Sequence, residues 1–598
     1  MPSQTNQFGS VVSPGHEKLL FCRMKGHEEM GRLFEYEVDL LSKEKHIDIN
    51  KVLGEPMTIA LDLPKGDTRY FNGIVTQFRQ YGAFEDYFLY RAVLRPKLWL
   101  LTRTSKCRIF LEKSVIDIIK LILGEYGISV SLSSGSGPKT VREYNVQYRE
   151  SDFDFVSRLM EQEGLYYSFS HTQASHELMI TDSMNSHKTI QHYETIPYEP
   201  AGAEYEEAIQ EWHCHYEITP LEYELTDFDF EKPRQTVKGS ARDHKLKGQG
   251  QCHDYSGDYN DKNVEKKDLE NYSRIRLEEL QTDYEVIHGR STAMAMSAGM
   301  LFTLKEHYDP QVNLKCVVFS VDFFIDSNAY RSGTIPFANN ADPNGVSSKD
   351  NVLGAIFDCR FTAIPSVQQF RPGRWTPRPV IEGTQTAIVT EECDKYGRVK
   401  IKFHWSGDDA SSWVRVSQPM AGKKWGWIAL PKVGQEVIVS FIEGNPNRPI
   451  ITGRVYNGEQ MPPYDLPDNR TQSGIKTEKT NELRFEDKDG NEEIYLHAQK
   501  DLKCVIVNNE TREVNKDRKS TVTGDDSLTV SKKCTIESMT SIELKVGSNS
   551  IKIDQQGITI KGVMVSVQGD TKLDVKSPMT TVNGDGMLTL KGGITMIN

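Results

Sequence analysis

Two histidines separated by one residue are the first side chains in this sequence that could do chemistry. In the segment WHCHY, His213 and His215 point to the same face of an extended chain, and that spacing can hold a metal ion. No third ligand is evident nearby. Because a His pair alone is more often ordinary strand polarity, we predict no metal site at this position.

Two aspartates and one further histidine could support acid–base catalysis. Asp227 and Asp229 share a strand face in TDFDF, and paired carboxylates can exchange protons with a substrate. No pocket-forming context surrounds them, which favours a solvated strand face. His404 in KFHW could serve as a base, although a packing role is favoured. The segment GNPNRP (444–449) could contact a ligand, but Gly and Asn-Pro first predict a tight hairpin connection.

The motifs of common hydrolases and nucleotide-binding enzymes are absent. The sequence contains no G-x-S-x-G, no HExxH and no Walker A segment. We therefore predict that the chain is not an enzyme, that it has no catalytic residues and that it binds no cofactor. The alternative is an enzyme with an unrecognised active site in the N-terminal block.

Length, charge and cysteine content narrow the class of protein to which this chain can belong. With 598 residues the chain should contain several domains, and its 37 % hydrophobic residues are enough for real cores. A net charge of −12 without a dense Lys/Arg run argues against nucleic acid as a partner. No Sec signal peptide and no membrane-spanning stretch is evident, and nine scattered cysteines indicate reduced thiols in the cytosol.

Two proline-rich stretches, 364–380 and 457–470, divide the chain, because proline interrupts helices and strand ladders. They predict an N-terminal region (1–375), a central domain (376–460) and a tail (461–598).

The N-terminal region mixes strands with helices. Alternation predicts strands at 34–42 and 86–96, and a polar helix is predicted at 263–284. A further helix should start after Ser151 as N-cap and stop at Gly164. Its apolar face comprises Phe153, Val156, Leu159 and Met160.

The central domain shows short strands separated by glycines, which fit a small barrel of the OB type. The segments predicted as strands are TAIVTEE, GRVKIKFHW, SWVRVSQ, GWIALP, EVIVSFIE and PIITGRVY.

The tail contains a long one-sided pattern, LTVSKKCTIESMTSIELKV (528–546). Its apolar residues fall almost entirely on even numbers, which predicts an extended ribbon with one dry face. The dry face comprises Leu528, Val530, Cys534, Ile536, Ile542, Leu544 and Val546. Further on, the parity of the apolar residues switches only at glycines, namely Gly547, Gly557, Gly562 and Gly586, where we expect the chain to reverse or bend.

A single layer of such strands cannot cover its own dry face. After Tyr495 the tail has no aromatic residue, so its interior must be thin. Several chains wound together as a β-prism would bury the face and remove the free strand edges. The alternatives are a β-sandwich, against which the missing aromatics count, and a monomeric β-helix.

The central block resembles the VgrG spike proteins of bacterial type VI secretion systems. The matching phrases there are DKYGRVKIKFHW (394–405), SSWVRVSQPMAGKKWGW (411–427), PKVGQEVIVSFIEGNPNRPIITGRVYN (431–457) and QSGIKT (472–477). The N-terminal block adds GRLFEYEVDLLS (31–42), LWLLTRTSKCRIF (98–110) and VQYRESDFDFVSRLMEQEGLYY (146–167). The resemblance runs in order from about residue 18 to about residue 480.

This resemblance implies a mainly β protein that fuses two phage tail parts. A hub-like region of two β-barrel-like subdomains with helices would precede the OB domain and a trimeric β-helical needle. Family members are trimers that sit on a tube of Hcp hexamers, carry a PAAR protein at the tip and are fired into a neighbouring cell. The resemblance thus implies assembly in the cytoplasm, export by the type VI machine without a signal peptide, and transient membrane puncture. The hub of a phage or phage-like contractile tail is the alternative.

Two sets of residues follow as candidate sites. Along the needle axis we expect Leu528, Val530, Ile536, Ile542, Leu544 and Val546. At the tip, a PAAR protein or the PAAR domain of a larger toxin, for example of the Rhs type, should dock on an exposed strand end. The docking residues there are Leu588, Leu590, Ile594, Met596 and Ile597.

Overall fold

The computed structural model describes residues 9–12, 15, 18–84, 86–133, 137, 140–200, 207–255, 266–327 and 356–597. The strands of the N-terminal region are β1 (Gly9–Val11), β2 (Leu20–Glu29), β3 (Glu35–Ser42), β4 (Pro56–Asp62), β5 (Thr68–Phe84), β6 (Tyr87–Arg95), β7 (Lys106–Ser114), β8 (Val130–Leu132), β9 (Val141–Glu150), β10 (Tyr166–His171), β11 (His176–Thr181), β12 (Thr195–Pro197), β13 (Ile209–Tyr216), β14 (Glu222–Phe228), β15 (Thr236–Arg242), β16 (Gln251–Tyr255), β17 (Glu285–Ser291), β18 (Leu301–Lys305), β19 (Lys315–Asp326) and β20 (Ile356–Pro365). The helices are α1 (Val115–Glu125), α2 (Asp152–Gln162) and α3 (Lys266–Leu280), with 3₁₀ turns at Ile49–Lys51, Lys97–Arg103, Met184–Ser186 and Pro310–Val312.

One large sheet organises the N-terminal region. Its main path runs β1-β4-β5-β6-β3-β2-β19-β20-β17-β13, and β12 and β18 attach beside β19. Adjacent strands along this path are antiparallel. Some neighbours are distant in sequence, as where β2 pairs with β19. Fully buried aromatic side chains such as Phe21, Tyr36 and Phe71 fill its main core. The strands predicted at 34–42 and 86–96 are confirmed as β3 and β6.

The two short helices pack together beside the small sheet β10-β11-β8. Each begins at a serine whose hydroxyl accepts a hydrogen bond from a backbone N–H three residues later: Ser114 for α1 and Ser151 for α2. Gly164 follows α2 with φ = +68°, a left-handed conformation suited to glycine at a helix end. The helix predicted after Ser151 is therefore confirmed, although its most buried aromatic residue is Phe155 rather than Phe153.

The polar helix α3 covers a second small sheet, β15-β14-β16. Leu269, Tyr272 and Ile275 of α3 pack against Tyr223 and Leu225 of β14. The approach is close at Gly239 of β15, where a side chain would collide with the backbone of α3. This helix confirms the one predicted at 263–284, but it ends at Leu280, and residues 281–284 form a turn instead.

The central domain is a closed five-stranded barrel. The seven strands of the domain, of which β24 and β25 form a separate hairpin, are β21 (Gln385–Glu391), β22 (Lys400–Phe403), β23 (Arg415–Val416), β24 (Ala421–Gly422), β25 (Trp425–Gly426), β26 (Glu436–Phe441) and β27 (Pro449–Val455). Five of them form the sheet β22-β21-β26-β27-β23, and a bridge between Val399 and Val414 joins its two ends. This arrangement confirms the predicted OB-type barrel.

The segment GWIALP does not provide a barrel strand, so that prediction was wrong. Only Trp425 and Gly426 are in a strand, and they pair with Ala421 and Gly422 in a small separate hairpin. The side chains of Trp425 and Ile428 are exposed, and Ala429 is held by side chains, those of Gln418 and Arg454, rather than by a strand ladder.

The barrel shares a core with the hub-like region. Tyr144 and Val146 of β9 pack in one cluster with Val389, Ile401 and other barrel residues. The proline-rich stretch 364–380 is also packed rather than free. Arg371 within it is buried and donates hydrogen bonds to the carbonyl oxygens of Gly164 (2.8 Å) and Asp182 (2.9 Å).

The tail contains few strands in proportion to its length. They are β28 (Gln472–Lys476), β29 (Glu482–Glu486), β30 (Glu493–His497), β31 (Ser541–Val546), β32 (Asn549–Asp554) and β33 (Gly557–Lys561). The first three form one three-stranded sheet and the last three form another. Between and after these two sheets, residues 498–540 and 562–597 are extended without forming strands inside the chain.

Candidate functional site

The extended tail before β31 bends at regular intervals. Bends occur at 507–508, 515–516, 523–524, 531–532 and 539–540, one every eight residues. An aliphatic residue immediately precedes each of the first four bends: Ile506, Val514, Val522 and Val530. The continuous ribbon predicted for 528–546 is therefore wrong, because it is broken at two of these bends. The spacing of eight is even, so the inside-outside alternation continues through each bend and conceals it in the sequence.

The segment after β33 bends as well, with a different spacing. Its bends lie at 563–564, 570–571, 578–579, 585–586 and 593–594, separated by seven or eight residues. Glycines Gly569 and Gly584 each come directly before a bend, and a side chain there would press on a backbone oxygen within 3 Å. Glycine is therefore required at these corners by close approach of the backbone.

These two extended segments leave their backbone groups without ladder partners. Within residues 498–540 and 562–597, all described, no residue belongs to a strand of this chain. The apolar side chains there are also open to solvent: Val530 is 45 % exposed and Ile536 70 %. Exposed aliphatic side chains beside unpaired N–H and C=O groups are the features of a surface made to be covered by other strands.

The strands β31, β32 and β33 interrupt this extended chain as an antiparallel meander, which we call the shaft meander. Ile542 pairs with Ile553 and Leu544 with Ile551. Paired residues of neighbouring strands share a face, so the aliphatic residues collect on one side. That face comprises Ile542, Leu544, Val546, Ile551, Ile553, Ile558 and Ile560.

The other face of the shaft meander is polar. It carries Glu543, Lys545, Ser550, Lys552, Asp554, Thr559 and Lys561. Lys552 forms an ion pair with Asp554 at 2.9 Å, and this hydrogen bond lowers the pKa of the Asp554 carboxyl. This face is therefore suited to contact with water, and the aliphatic face is the one to be buried.

Both turns of the shaft meander are tied to the extended chain. At the turn between β31 and β32, the side-chain oxygen of Asn549 accepts a hydrogen bond from the backbone N–H of Val563 at 3.0 Å. At the turn between β32 and β33, the side-chain amide of Gln555 donates to the carbonyl oxygen of Met539 at 3.4 Å. The meander is thus held at the residues where the extended chain enters and leaves it.

Two of the four glycines at parity switches are chain reversals, as predicted. Gly547 (φ = +57°) and Gly557 (φ = +140°) occupy the two turns of the shaft meander. At the other two the chain bends, which also confirms the prediction, although neither glycine has a positive φ: Gly562 directly precedes the bend at 563–564, and Gly586 lies in the bend at 585–586. A side chain at Gly562 would crowd the carbonyl oxygen of Met564.

The predicted axis residues fall into two structural groups. Leu528, Val530 and Ile536 lie in the bent extended chain, and Ile542, Leu544 and Val546 lie on the aliphatic face of the shaft meander. The predicted tip residues lie within or after the bends at 585–586 and 593–594, and Ile594 belongs to the second bend. They are all more than half exposed: Leu588, Leu590, Ile594, Met596 and Ile597.

The residues considered for chemistry are not brought together. His213 of β13 pairs directly with His288 of the neighbouring strand β17. The side chains of His213 and His215 are exposed. Among the described residues, no three His, Cys, Asp or Glu side chains are grouped so that they could hold a metal ion. His404 is exposed and contacts the Thr386 hydroxyl at 3.0 Å, so the packing role favoured for it was wrong.

The solvated face predicted for Asp227 and Asp229 was also wrong, because both are buried. Asp227 accepts a hydrogen bond from the backbone N–H of Phe228 at 2.7 Å, and Asp229 accepts one from Glu231 at 2.8 Å. Asp229 therefore stabilises the turn that follows β14. A turn signal in the following residues, EKPR, was available in the sequence but did not reveal the burial.

The segment GNPNRP forms the predicted connection between β26 and β27, and it also contacts the hub-like region. The side-chain oxygen of Asn447 accepts a hydrogen bond of 2.8 Å from the backbone N–H of Val146 in β9. This contact joins the barrel to the hub-like region across 301 positions of sequence.

Sequence reasoning missed a buried polar network between the large sheet and the small sheet β10-β11-β8. Glu28 accepts hydrogen bonds from the Tyr36 hydroxyl and the Arg69 guanidinium, both at 3.0 Å. Burial lowers the pKa values of His171 and His176 to about 3, so both rings are neutral at physiological pH. His176 accepts from the backbone N–H of Lys97 and contacts the Asn72 side chain, which fixes its ring. These hydrogen bonds join the two sheets, since the Tyr36 hydroxyl contacts His171 of β10 and the Asn72 side chain contacts His176 of β11.

Three family models match consecutive parts of the chain. Residues 27–329 match the phage tail baseplate hub, and residues 385–456 match the injector OB domain of type VI secretion systems and phage baseplates. Residues 469–583 match the C-terminal trimerisation domain of bacteriophage T4 gp5. The fold and tail thus define a hub-and-needle protein of a contractile injection machine.

Relatives identify the family within this class. The type VI secretion system spike protein VgrG1c of Pseudomonas aeruginosa is 41 % identical over 544 residues, which are 87 % of this chain and 72 % of that protein. The chain belongs to the VgrG family of type VI secretion spike proteins. The actin cross-linking toxin VgrG1 of Vibrio cholerae is 34 % identical over 88 % of this chain but only 48 % of the toxin.

A solved structure agrees with the fold. The Escherichia coli c3393 protein, described as a type VI component similar to the T4 tail proteins gp27 and gp5, superimposes with a TM-score of 0.51. The match is 22 % identical in sequence and covers 73 % of this chain and 97 % of that one. No helix among the residues described here is long and apolar enough to cross a membrane.

Proposed function

We propose that three copies of this chain form a puncturing spike that acts mechanically and carries effectors into a target cell. The observation that carries the proposal is the bent, extended tail, whose backbone groups and aliphatic side chains find no cover in one chain. In a three-chain needle these backbone groups would pair between chains, and bending it would break many hydrogen bonds together. The match to a trimerisation domain over 469–583 supports the same arrangement.

In this proposal the even-numbered aliphatic residues of the segment 528–546 face the needle axis. Leu528, Val530 and Ile536 would face the axis along the bent segment, and Ile542, Leu544 and Val546 at the shaft meander. The division into a hub-like region (1–375), an OB domain (376–460) and a linker with needle (461–598) accompanies this proposal. It is supported by the three consecutive family matches.

A non-enzymatic role fits the groups that could do chemistry. The histidine and aspartate pairs are dispersed or engaged in turns, and the neutral pair His171 and His176 is enclosed in a structural network. Family members that bear a toxin name, such as the Vibrio cholerae protein, are about twice as long as the part that matches this chain. Stiffness and shape are therefore the properties on which function rests.

The partners follow from the two ends of the spike. At the needle tip, a PAAR protein or the PAAR domain of a larger effector would dock on residues 588–598, of which 588–597 are described and exposed. At the base, the hub-like region would sit on the baseplate and the Hcp tube. The spike would be assembled in the bacterial cytoplasm, exported by the type VI machine without a signal peptide, and pass transiently through the target membrane.

The mass in solution tests the proposal. Light scattering should give 3 × 68.0 = 204 kDa for the purified full-length chain. A net charge of 3 × −12 = −36 should keep this particle soluble. A stable monomer at micromolar concentration would contradict the proposal. Export that depends on the contractile sheath, measured in the culture medium, tests the second half of it.

A further inference from the structure

A cleft in the hub-like region lies between the large sheet and the 3₁₀ turn that follows β6. Its volume is about 450 Å³, which is within the range of sites that hold small ligands. Leu33 and Trp99 give it apolar walls, whereas Arg95 and Arg103 bring positive charge. This combination suits a ligand in which an anionic group is attached to an apolar body.

The indole ring of Trp99 positions both guanidinium groups. The Cζ atom of Arg103 lies 4.5 Å from the ring centroid, and that of Arg95 lies 5.3 Å from it. Stacking covers a face of a guanidinium and leaves the N–H groups at its edge for hydrogen bonds. It also restricts the side chain before a ligand arrives, so less conformational entropy is lost on binding.

The two arginines differ in how their charge is compensated. Arg95 donates from Nε to the Glu35 carboxylate at 2.7 Å and from Nη1 to the Thr76 hydroxyl at 3.0 Å. Arg103 donates from Nε to the Thr102 hydroxyl at 2.9 Å. In the part of the chain that the structure describes, no carboxylate forms an ion pair with Arg103. The charged groups that line the cleft therefore sum to one positive charge, that of Arg103.

We infer that this cleft binds a segment of a partner protein that presents a carboxylate beside an aromatic or aliphatic side chain. The edge of the Arg103 guanidinium would hold the carboxylate through two parallel hydrogen bonds. Trp99 and Leu33 would cover the apolar side chain.

The charge of the site favours a carboxylate over other anions. One positive charge balances one carboxylate, whereas a phosphate dianion would leave a negative charge in the cleft. The net charge of −12 on the whole chain also disfavours polyanions such as nucleic acid. The inference goes beyond the puncturing function and does not depend on it, because every residue of the cleft belongs to one hub-like region.

Ligand-observed NMR tests the site on the purified full-length protein. The probe is N-acetylphenylalanine, which has a carboxylate next to an aromatic side chain, and its amide serves as the uncharged control. We expect saturable saturation transfer to the acid and a dissociation constant at least fivefold higher for the amide. Equal binding of acid and amide, or no binding of the acid, would overturn the inference.

Two substitutions should move the affinity for the acid in opposite directions. Arg103→Gln removes the uncompensated charge and should raise the dissociation constant at least fivefold. Glu35→Gln removes the carboxylate that neutralises Arg95 and should lower the dissociation constant. Because misfolding cannot tighten binding, the opposite signs separate recognition from a damaged fold.

The matched control is Arg79→Gln, which removes an exposed arginine of β5 outside the cleft. This variant should bind the acid as the parent protein does. Unchanged binding by Arg103→Gln, or weaker binding by Glu35→Gln, would contradict the assigned roles and overturn the inference.

A second probe distinguishes a chain end from an acidic side chain. N-acetyl-aspartyl-phenylalanine amide carries its only carboxylate on a side chain, whereas N-acetylphenylalanine carries it at the chain end. Tighter binding of one probe, lost in Arg103→Gln, supports the inference and identifies the source of the carboxylate. Light scattering of the same samples reports on the trimer separately. A monomer that binds the probes would overturn the function proposed above, whereas a trimer that binds neither would overturn only this site.

Discussion

The side-chain oxygen of Asn447 accepts a 2.8 Å hydrogen bond from the backbone N–H of Val146, and this bond links the OB barrel to the hub-like region. Around it, Tyr144 and Tyr148 of β9 pack into the barrel core. A spike that transmits force along its length needs its barrel and hub to resist separation. This junction meets that need with a shared core and an oriented polar contact.

The junction makes the first prediction. Asn447→Ala removes the acceptor and leaves the backbone N–H of Val146 buried without its partner. We expect the free energy of unfolding to fall by about 1–3 kcal/mol. We expect the midpoint of thermal unfolding, followed by circular dichroism, to fall by several degrees. Asn508→Ala, at an exposed position in the tail, serves as the control. Equal midpoints for the two variants would contradict the assigned role of Asn447.

Acid stability provides a second prediction, through Asp152 at the start of α2. Burial alone would raise the pKa of this carboxyl, but hydrogen bonds from Tyr126, Gln147 and Lys106 and the charge of Arg108 outweigh it and lower the pKa to about 2. Because the folded-state pKa lies below the unfolded value, the carboxylate stabilises the fold above about pH 4, and this contribution is lost as the pH falls towards 2.

Asp152→Asn should therefore destabilise the protein at pH 7, by about 3 kcal/mol where Lys106 and Arg108 lose their partner. It should also flatten the dependence of stability on pH between 4 and 2. Urea unfolding at a series of pH values measures both effects. Parallel profiles for the wild type and the variant would show that Asp152 does not carry this dependence.

The third prediction concerns the two faces of the shaft meander. Ile542→Asp places a charge opposite Ile553 on the aliphatic face, and the threefold assembly would repeat it three times. We expect this change to abolish the trimer, whereas Glu543→Ala on the polar face should leave it intact. Light scattering of both variants decides the matter, and equal tolerance of both changes would show that the faces are assigned incorrectly.

The fourth prediction concerns the tip. Deleting Gly592–Asn598 removes the exposed Ile594, Met596 and Ile597 but leaves the shaft meander and most bends in place. The trimer should persist, while capture of a PAAR protein in a pull-down should be lost. Undiminished capture by the truncated trimer would move the docking site elsewhere, most simply to the hub-like region.

Local patterns in the sequence determined much of this protein. The N-cap at Ser151 and the stop at Gly164 define α2, because capping depends on residues within one turn. Glycine punctuation and short alternating runs predicted the OB barrel, and the reversals at Gly547 and Gly557 followed from changes of parity. The aliphatic parity of the tail likewise indicated a face to be buried between chains.

Other features depend on contacts between residues far apart in sequence. The burial of Asp227 and Asp229 depends on what packs over the end of β14. GWIALP forms no barrel strand because its only ladder partner, Ala421, pairs with Gly426 in a separate hairpin. The hydrogen bond between Val146 and Asn447 joins residues that no local pattern connects. The bends in the tail escaped detection for a different reason. A repeat of eight residues is even, so it leaves the alternation of side chains unchanged, and only the path of the folded chain separates a long ribbon from a series of short bent segments.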